Sequence, residues 1–380
     1  MHKIIINLIV GSSLLLAFLI FLNPNKHNKQ GNRWLSLFVF CLFILNIDEF
    51  LAYNSLQLNF QFFLLSLFIV TPIFYFSVVY FINPTKKWKP IYYLHFAFGL
   101  FVMLFERNTI ILKDEKLVLL TETISEFAKY SSQFLMYIVL PLQAIFYISY
   151  SYLEIVKHGK NINQFSSNTN EIDLKWLKKI LYYIVFLGVL FVIDLITNRI
   201  EFLNFILLIG IYYIGYYAIK QKEIYPFSKN KKVEIAEIIE INDDKNKFEI
   251  EKKKLISDEK LLQIKTSLIE IMQDEKPFLN QELTLIILAN NLKISAHNLS
   301  FAINESFNEN FNQFVNRYRI EEAKKMILDP KMNHLSISGI GYEVGFNSKS
   351  VFNATFKKLE NCTPLQYKNQ DLILEISSEL

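Results

Sequence analysis

The chain has 380 residues, of which 52% are hydrophobic and 20% charged, with a formal net charge of +4. That length admits two or more domains, and a mean hydropathy of +0.24 lies above what a water-soluble domain ordinarily shows. Two cysteines, Cys41 in an apolar run and Cys362 in a polar one, exclude a disulfide framework and a thiolate metal site.

The apolar content is not evenly spread. From Ile4 to about Ile219 the chain is a series of apolar runs, and from Lys220 onward it is rich in Lys, Glu, Asp and Asn. The expected layout is a helical bundle over 1–219, a charged linker over 220–257 and a polar domain over 258–380.

A helix crossing the bilayer core needs about 20 mostly apolar residues. Seven runs are candidates: 4–22, 34–47, 62–82, 91–105, 131–153, 180–196 and 202–219, the second and fourth being short. A buried soluble core explains one such run but not a series separated by charged loops, so a seven-helix transmembrane bundle is expected. The first run is longer than the apolar part of a signal peptide and no Ala-x-Ala site closely follows it, which favours a retained helix.

Loop charge sets the expected orientation. The first loop holds Lys26, Lys29 and Arg33; the third holds Lys86, Lys87 and Lys89. The fifth holds Lys157 and Lys160 at its start and Lys175, Lys178 and Lys179 at its end. Asp48 and Glu49 begin the second, and the fourth mixes Glu106, Asp114, Glu115, Glu122 and Glu126 with Arg107, Lys113 and Lys116. Basic odd-numbered loops place the N-terminus outside and the C-terminal domain in the cytoplasm of a bacterial inner-membrane protein.

Intramembrane ionisable groups would mark a transport or catalytic path. Asp194 and His95 are the candidates, with Asp48 and Glu49 at a helix end, and an interfacial, solvated position explains each as well. Pro72 and Pro141 are expected to kink their helices. No His/Glu zinc cluster, Gly-rich phosphate loop or Ser-His-Asp order is present, so no enzyme, catalytic residue, metal or cofactor is expected. The linker, with Lys229, Lys231 and Lys232 near its start and Lys252–Lys254 near its end, reads as a solvated tether whose basic start suits anionic lipid headgroups. Beyond it, Leu261, Leu262, Ile264, Leu268 and Ile271 have helical spacing from Ser257–Asp258 onward.

The polar domain carries the specific signal. Leu285, Leu288, Ala289 and Leu292 form one helix face, Lys293 lies at a tight turn, and Ser295 is placed to cap a second helix anchored by Leu299 and Ile303. The grammar returns with Ile337, Ile340, Gly341 and Val344, a turn at Gly345, and anchors Phe352 and Phe356. Each copy has a small residue (Ala289, Gly341) four before the turn residue and an apolar one (Ile294, Phe346) after it. Two helix-turn-helix units, about 283–306 and 336–358, are joined by a helix over roughly 311–328 with Phe314, Tyr318 and Ala323 inward. Such a pair makes a bipartite DNA reader.

This arrangement resembles the AraC-type family of transcription regulators. The carrying stretches are Asn316-Arg317-Tyr318-Arg319-Ile320-Glu321-Glu322-Ala323 and Gly345-Phe346-Asn347-Ser348-Lys349-Ser350-Val351-Phe352-Asn353, closed by Phe356-Lys357-Lys358 and Thr363-Pro364-Leu365-Gln366-Tyr367. They cover about a quarter of the chain, and the apolar half looks like that of the family's membrane-bound class. The resemblance implies an all-α domain whose two recognition helices enter successive major-groove segments. Phe346, Phe352, Phe356 and Pro364 are then core or turn residues. Base-facing places fall on His297, Ser300 and Phe301 in the first helix and on Ser350, Val351, Asn353 and Ala354 in the second. Ser348, Lys349 and Lys357 suit phosphate contacts, and Asn298, Asn304 and Asn347 complete the DNA-facing set. The family often has Arg at the Phe301 and Ala354 positions, Gly at Lys293 and Ala at Gly341. These departures imply weaker, more salt-sensitive or more cooperative binding.

The expectation is a one-component regulator coupling a signal at the membrane to promoter binding. Its partners would be double-stranded DNA, membrane lipid and an unidentified ligand or signal, with a homodimer compatible with the layout. The rivals are a degenerate helix-turn-helix serving as a protein-interaction module and a transporter-like bundle with a regulatory tail.

Overall fold

The computed structural model describes residues 2–22, 28–54, 63–84, 86–97, 99–100, 134–169, 172–197, 203–222 and 257–369. Every named element among them is helical, and an isolated antiparallel bridge joins Ser166 to Thr284. The described residues fall into two compact units: one within Met1–His158 and Leu174–Ile224, the other within Gly159–Asp173 and Tyr225–Leu380. The expected linker lies outside the described residues except at its ends.

The first unit contains α1 (His2–Leu22), α2 (Lys29–Tyr53), α3 (Phe63–Ile82), most of α4 (Leu140–Ile162), α5 (Lys175–Thr197) and α6 (Leu203–Lys220). Among the described residues, five stretches are long and apolar enough to cross a membrane: Lys3–Leu22, Lys29–Tyr53, Tyr137–Ile162, Lys175–Ile193 and Leu203–Lys220. Five of the seven expected runs are found in this way; the third and fourth adjoin or enter residues outside those described. The third expected run is α3 itself, Phe63–Ile82, with Pro72 inside it. The fourth expected run opens as a 3-10 turn at Pro90–Tyr93, is helical at 94–97 and 99–100, and otherwise lies outside the described residues. Conversely, α2 extends past its apolar run at both ends, because Lys, Arg and Glu propagate a helix nearly as well as Leu.

Close approach inside this unit depends on small residues. A Cβ on Gly31 would lie 2.8 Å from the Phe81 ring, and one on Gly215 would lie 2.7 Å from Leu16. Ser36 donates to the Ala17 carbonyl at 2.6 Å, tying α2 to α1. Large apolar side chains face outward, among them Leu15, Phe18, Leu142, Ile145, Phe186 and Val189. A π-type turn at Leu135–Val139 stands directly ahead of Pro141, whose ring nitrogen cannot bond back to Tyr137.

The second unit contains α7 (Asp258–Asp274), α8 (Leu285–Asn291), α9 (Ala296–Phe307), α10 (Phe311–Leu328), α11 (Ile337–Glu343) and α12 (Lys349–Glu360), then a last turn over 364–369. Its starts are written locally. Ser257 caps α7, and Asn310 and Gln313 form a reciprocal capping box at α10. There are two hydrophobic cores. The first gathers Leu268, Met272, Phe278, Leu285, Leu288, Leu299, Ile303, Phe311 and Phe314, and it also holds Ile162 and Phe165. The second gathers Ile320, Ala323, Ile327, Ile340, Val344, Phe346, Phe352 and Phe356.

Helix α10 is the spine of both cores, with Phe311, Phe314 and Val315 in one and Ile320, Ala323 and Ile327 in the other. Between them sits Arg319, 0% exposed. Its Nε donates to Phe278 O at 2.7 Å and its Nη2 to Asn280 O at 2.8 Å and Ser167 Oγ at 3.1 Å. The guanidinium also lies 5.6 Å from the Phe346 ring centre, a cation–π distance. Burial pushes its pKa down to about 9, so it is still charged at neutral pH. The domain boundary expected from composition is therefore incomplete: the stretch Gly159–Asp173, between two apolar helices, belongs to the polar unit.

Replacing Arg319 with Ala leaves buried carbonyls without donors and opens a cavity, for a loss of about 3 kcal/mol. Arg319→Lys recovers only part of this, since a single ammonium lacks the planar fork that spans these acceptors. The urea midpoint for protease resistance of the C-terminal unit, read in the full chain, measures both; an unchanged midpoint in Arg319→Ala would contradict the assignment.

Candidate nucleic-acid interface

The pairs α8–α9 and α11–α12 repeat one local geometry. Thr284 caps α8 by accepting from Ile287 N at 3.3 Å, and Ser295 caps α9 by accepting from Asn298 N at 3.2 Å. In the second pair Ser336 accepts from Gly339 N at 3.0 Å and Ser348 from Val351 N at 3.3 Å. The turns coincide as well. Ile294 N donates to Ala289 O at 3.0 Å, and Phe346 N to Gly341 O at 3.0 Å. Just before each donor stands a residue with positive φ, 56° at Lys293 and 98° at Gly345.

The two turns differ in their cost. Gly345 adopts positive φ without strain, and a Cβ there would fall 2.8 Å from Arg319 Nε and 3.0 Å from Leu279 O. Lys293 carries a side chain in the same left-handed region, which L-residues enter at a cost of about 1–2 kcal/mol. The small residue of each pair has its expected purpose: a Cβ on Gly341 would lie 2.7 Å from the Phe352 ring.

Each pair thus presents a second helix of 12 residues, α9 or α12. On α12, Lys349, Ser350, Ala354, Lys357 and Lys358 are exposed, and Asn353 is half-buried. Val351 is half-buried and packs against the second core, so only part of it remains for a base. Ser348 uses its hydroxyl as the cap of α12, and Asn347 precedes it half-buried. On α9, His297, Asn298 and Asn304 are half-buried.

Ser300 and Phe301, expected to face bases, are each only 6% exposed. As base-facing positions they would offer little surface in this conformation. The physical preference is plain for Phe301, whose large apolar area favours burial and whose ring has no group to read a base edge. Lys358, beside Lys357, is a further exposed cation of the same helix, and Arg319 is a buried one whose setting has no local signature.

Charge is balanced rather than basic. Between Ser257 and Asn369 there are thirteen Lys and Arg and thirteen Asp and Glu. Several cations are engaged. Arg317 makes a two-point contact with Glu309, Nε to Oε1 at 3.0 Å and Nη2 to Oε2 at 2.9 Å, and this bonding raises its pKa. Lys276 pairs with Glu322 at 2.6 Å, and Lys324 with Glu360 at 3.2 Å. Lys349, Lys357 and Lys358 make no ion pair among the described residues. They lie at the two ends of α12, Lys357 and Lys358 in its last turn and Lys349 at its start, the latter beside the amide groups that favour a phosphate at a helix N-terminus.

Comparison with known proteins agrees with this geometry. Residues 288–370 match the family described as "Helix-turn-helix domain". The chain is 41% identical over 61 residues to an uncharacterized HTH-type transcriptional regulator in the cgkA 5' region of Pseudoalteromonas carrageenovora, covering 16% of this chain and 34% of that protein. It is 36% identical over 59 residues to the uncharacterized HTH-type transcriptional regulator YdeC of Bacillus subtilis, covering 16% of this chain and 19% of that protein. It is also 31% identical over 91 residues to Histidine kinase P4 of Formosa agariphila, covering 24% of this chain and 6% of that protein. The chain thus spans at most about a third of the length of these curated relatives. No solved structure matches it. The C-terminal region is a helix-turn-helix domain of AraC type, found in DNA-binding transcription regulators.

Lys293→Gly should raise the stability of this domain by about 1 kcal/mol by relieving the left-handed strain. Gly345→Ala should lower it by about 3 kcal/mol, because strain and collision with buried backbone act together. Urea-dependent proteolysis of the full chain reads both; equal effects at the two turns would refute their inequivalence.

Proposed function

We propose that the chain is a membrane-embedded, sequence-specific transcription regulator in which the apolar unit senses a signal and the helix-turn-helix unit reads promoter DNA. The observation that carries it is the duplicated helix-turn-helix geometry around one spine helix, within a region matching a helix-turn-helix family. A pair of reading helices on one rigid spine suits two successive stretches of major groove.

Membrane embedding is supported by five helices of sufficient length and by the apolar side chains on their outer surfaces. In water these would form an exposed apolar area far larger than soluble monomers tolerate; in lipid they are at home. The basic odd-numbered loops support a cytoplasmic C-terminal unit, where DNA is accessible.

Residue roles follow from exposure. Asn353, Ser350 and His297 are the groups proposed to read base edges, with Asn298, Asn304, Asn347 and part of Val351 beside them. Lys349, Lys357 and Lys358, with the N-terminal amides of α12, are proposed to hold phosphates. With a balanced charge the domain has little long-range attraction for DNA, so specific contacts and pairing of two copies supply the affinity.

A second reading, a module that binds another protein, is favoured by the burial of Ser300 and Phe301 and by the charge balance. The full chain in lipid nanodiscs, mixed with fragmented genomic DNA at low and physiological salt, separates the two. The proposal expects enrichment of discrete promoter sites; a module for proteins enriches none. At an enriched site, Asn353→Ala should cost about 1–3 kcal/mol. Lys357→Ala should weaken all sequences alike and reduce the salt slope by about 1.

A further inference from the structure

We propose that the segment Gly159–Asp173, which joins α4 to α5, is a brace seated in the helix-turn-helix unit, and that its seating holds the two reading units in the mutual orientation that DNA binding requires. This rests on the DNA-reading assignment above and adds the surface through which that reading is controlled.

The segment is anchored by burial. Ile162 and Phe165, 1% and 2% exposed, lie in the first core with Leu283, Leu285, Leu288, Phe311 and Phe314. Fully burying two such side chains accounts for several kcal/mol of seating energy before hydrogen bonds are counted, about 1.5–3 for each.

It also satisfies backbone groups that the domain cannot satisfy alone. The first N–H groups of a helix have no partner within it. Leu285, the first residue of α8, donates to Phe165 O at 2.9 Å, and Asn312, the second residue of α10, donates to Asn163 O at 3.0 Å. Ser167 N donates to Leu283 O at 3.2 Å, so two backbone bonds flank the Ser166–Thr284 bridge. The Asn312 side chain donates to Ser166 O at 3.1 Å and Ser167 O at 2.8 Å.

Its last described turn crosses the junction between the two reading units. Ser167 Oγ accepts from Arg319 at 3.1 Å, and Asn168 Nδ2 reaches both Gln281 O, ahead of the first unit, and Gly345 O at 3.2 Å, in the turn of the second. Four consecutive residues, Phe165 to Asn168, thereby touch the start of α8, the spine α10 and the turn before α12. These bonds end on none of the exposed side chains of α12, so a seated segment is compatible with DNA at Lys349, Ser350 and Asn353. Because the segment continues directly out of α4, whose last turn includes Ile162, a rotation or shift of that helix acts on the brace directly. The reading unit then responds without any signal passing through the linker at 220–257.

The test uses the full chain in nanodiscs and a promoter site enriched as above. Ser167→Ala with Asn168→Ala removes the junction contacts. Ser166→Cys with Thr284→Cys, in a Cys41→Ala, Cys362→Ser background, places thiols at directly opposed positions of an antiparallel bridge, where a disulfide fits. Thr169→Ala is the control. We expect the Ser167/Asn168 variant to bind the full site at least tenfold more weakly, while binding to half of that site changes less than twofold. The cross-link should form on mild oxidation, leave wild-type affinity intact and, combined with the Ser167/Asn168 changes, restore binding to within threefold of wild type. The brace is overturned if the Ser167/Asn168 variant binds the full site within twofold of wild type, if no cross-link forms, or if the cross-linked protein loses its site. A Ser167/Asn168 variant that fails to fold leaves the cross-linked pair to decide. If wild type enriches no site, the DNA-reading assignment fails and the control role falls with it, and cross-link yield still reports whether the segment is seated.

Discussion

A charged guanidinium held between two hydrophobic cores organises the C-terminal half of this molecule. Desolvating a charge is tolerable only where good acceptors surround it, and Arg319 meets them as carbonyl and hydroxyl oxygens, with the Phe346 ring alongside. These acceptors come from three places: the chain between α7 and α8, the stretch between α4 and α5, and α10 itself through Asn316 Oδ1 at 3.5 Å. A planar fork with fixed directions therefore imposes one arrangement on elements far apart in the chain, where apolar contacts alone would accept several.

The same point governs the two helix-turn-helix units. Each is locally complete in caps and turn bonds, but a reader of two groove segments needs them at one mutual angle. Helix α10 supplies continuity, and Gly345 permits the second unit's turn to approach the Arg319 cluster, because any side chain there would strike backbone oxygens.

The N-terminal half follows a different logic. Its helices turn apolar residues both inward and outward, and glycine and serine mark where backbones approach. Placing a segment of the polar unit between two of its helices makes the two halves topologically interleaved rather than simply consecutive.

Much of this was legible in the residues. Capping serines and threonines, the paired turns at Lys293 and Gly345, and the inward faces of Phe314, Phe352 and Phe356 depend on interactions spanning a few residues, so periodicity and residue type report them directly. Helix ends in the apolar half were less legible, because hydropathy runs stop at charged residues that helices pass through, as at both ends of α2, or begin on turns such as Pro90–Tyr93. The burial of Ser300 and Phe301, the setting of Arg319 and the membership of Gly159–Asp173 in the polar unit were decided only by tertiary structure. Ser167 meets Arg319 across 152 positions and Asn168 meets Gly345 across 177. Contacts at such separations leave no periodic trace, since either partner alone reads as an ordinary polar residue in a loop or on a helix.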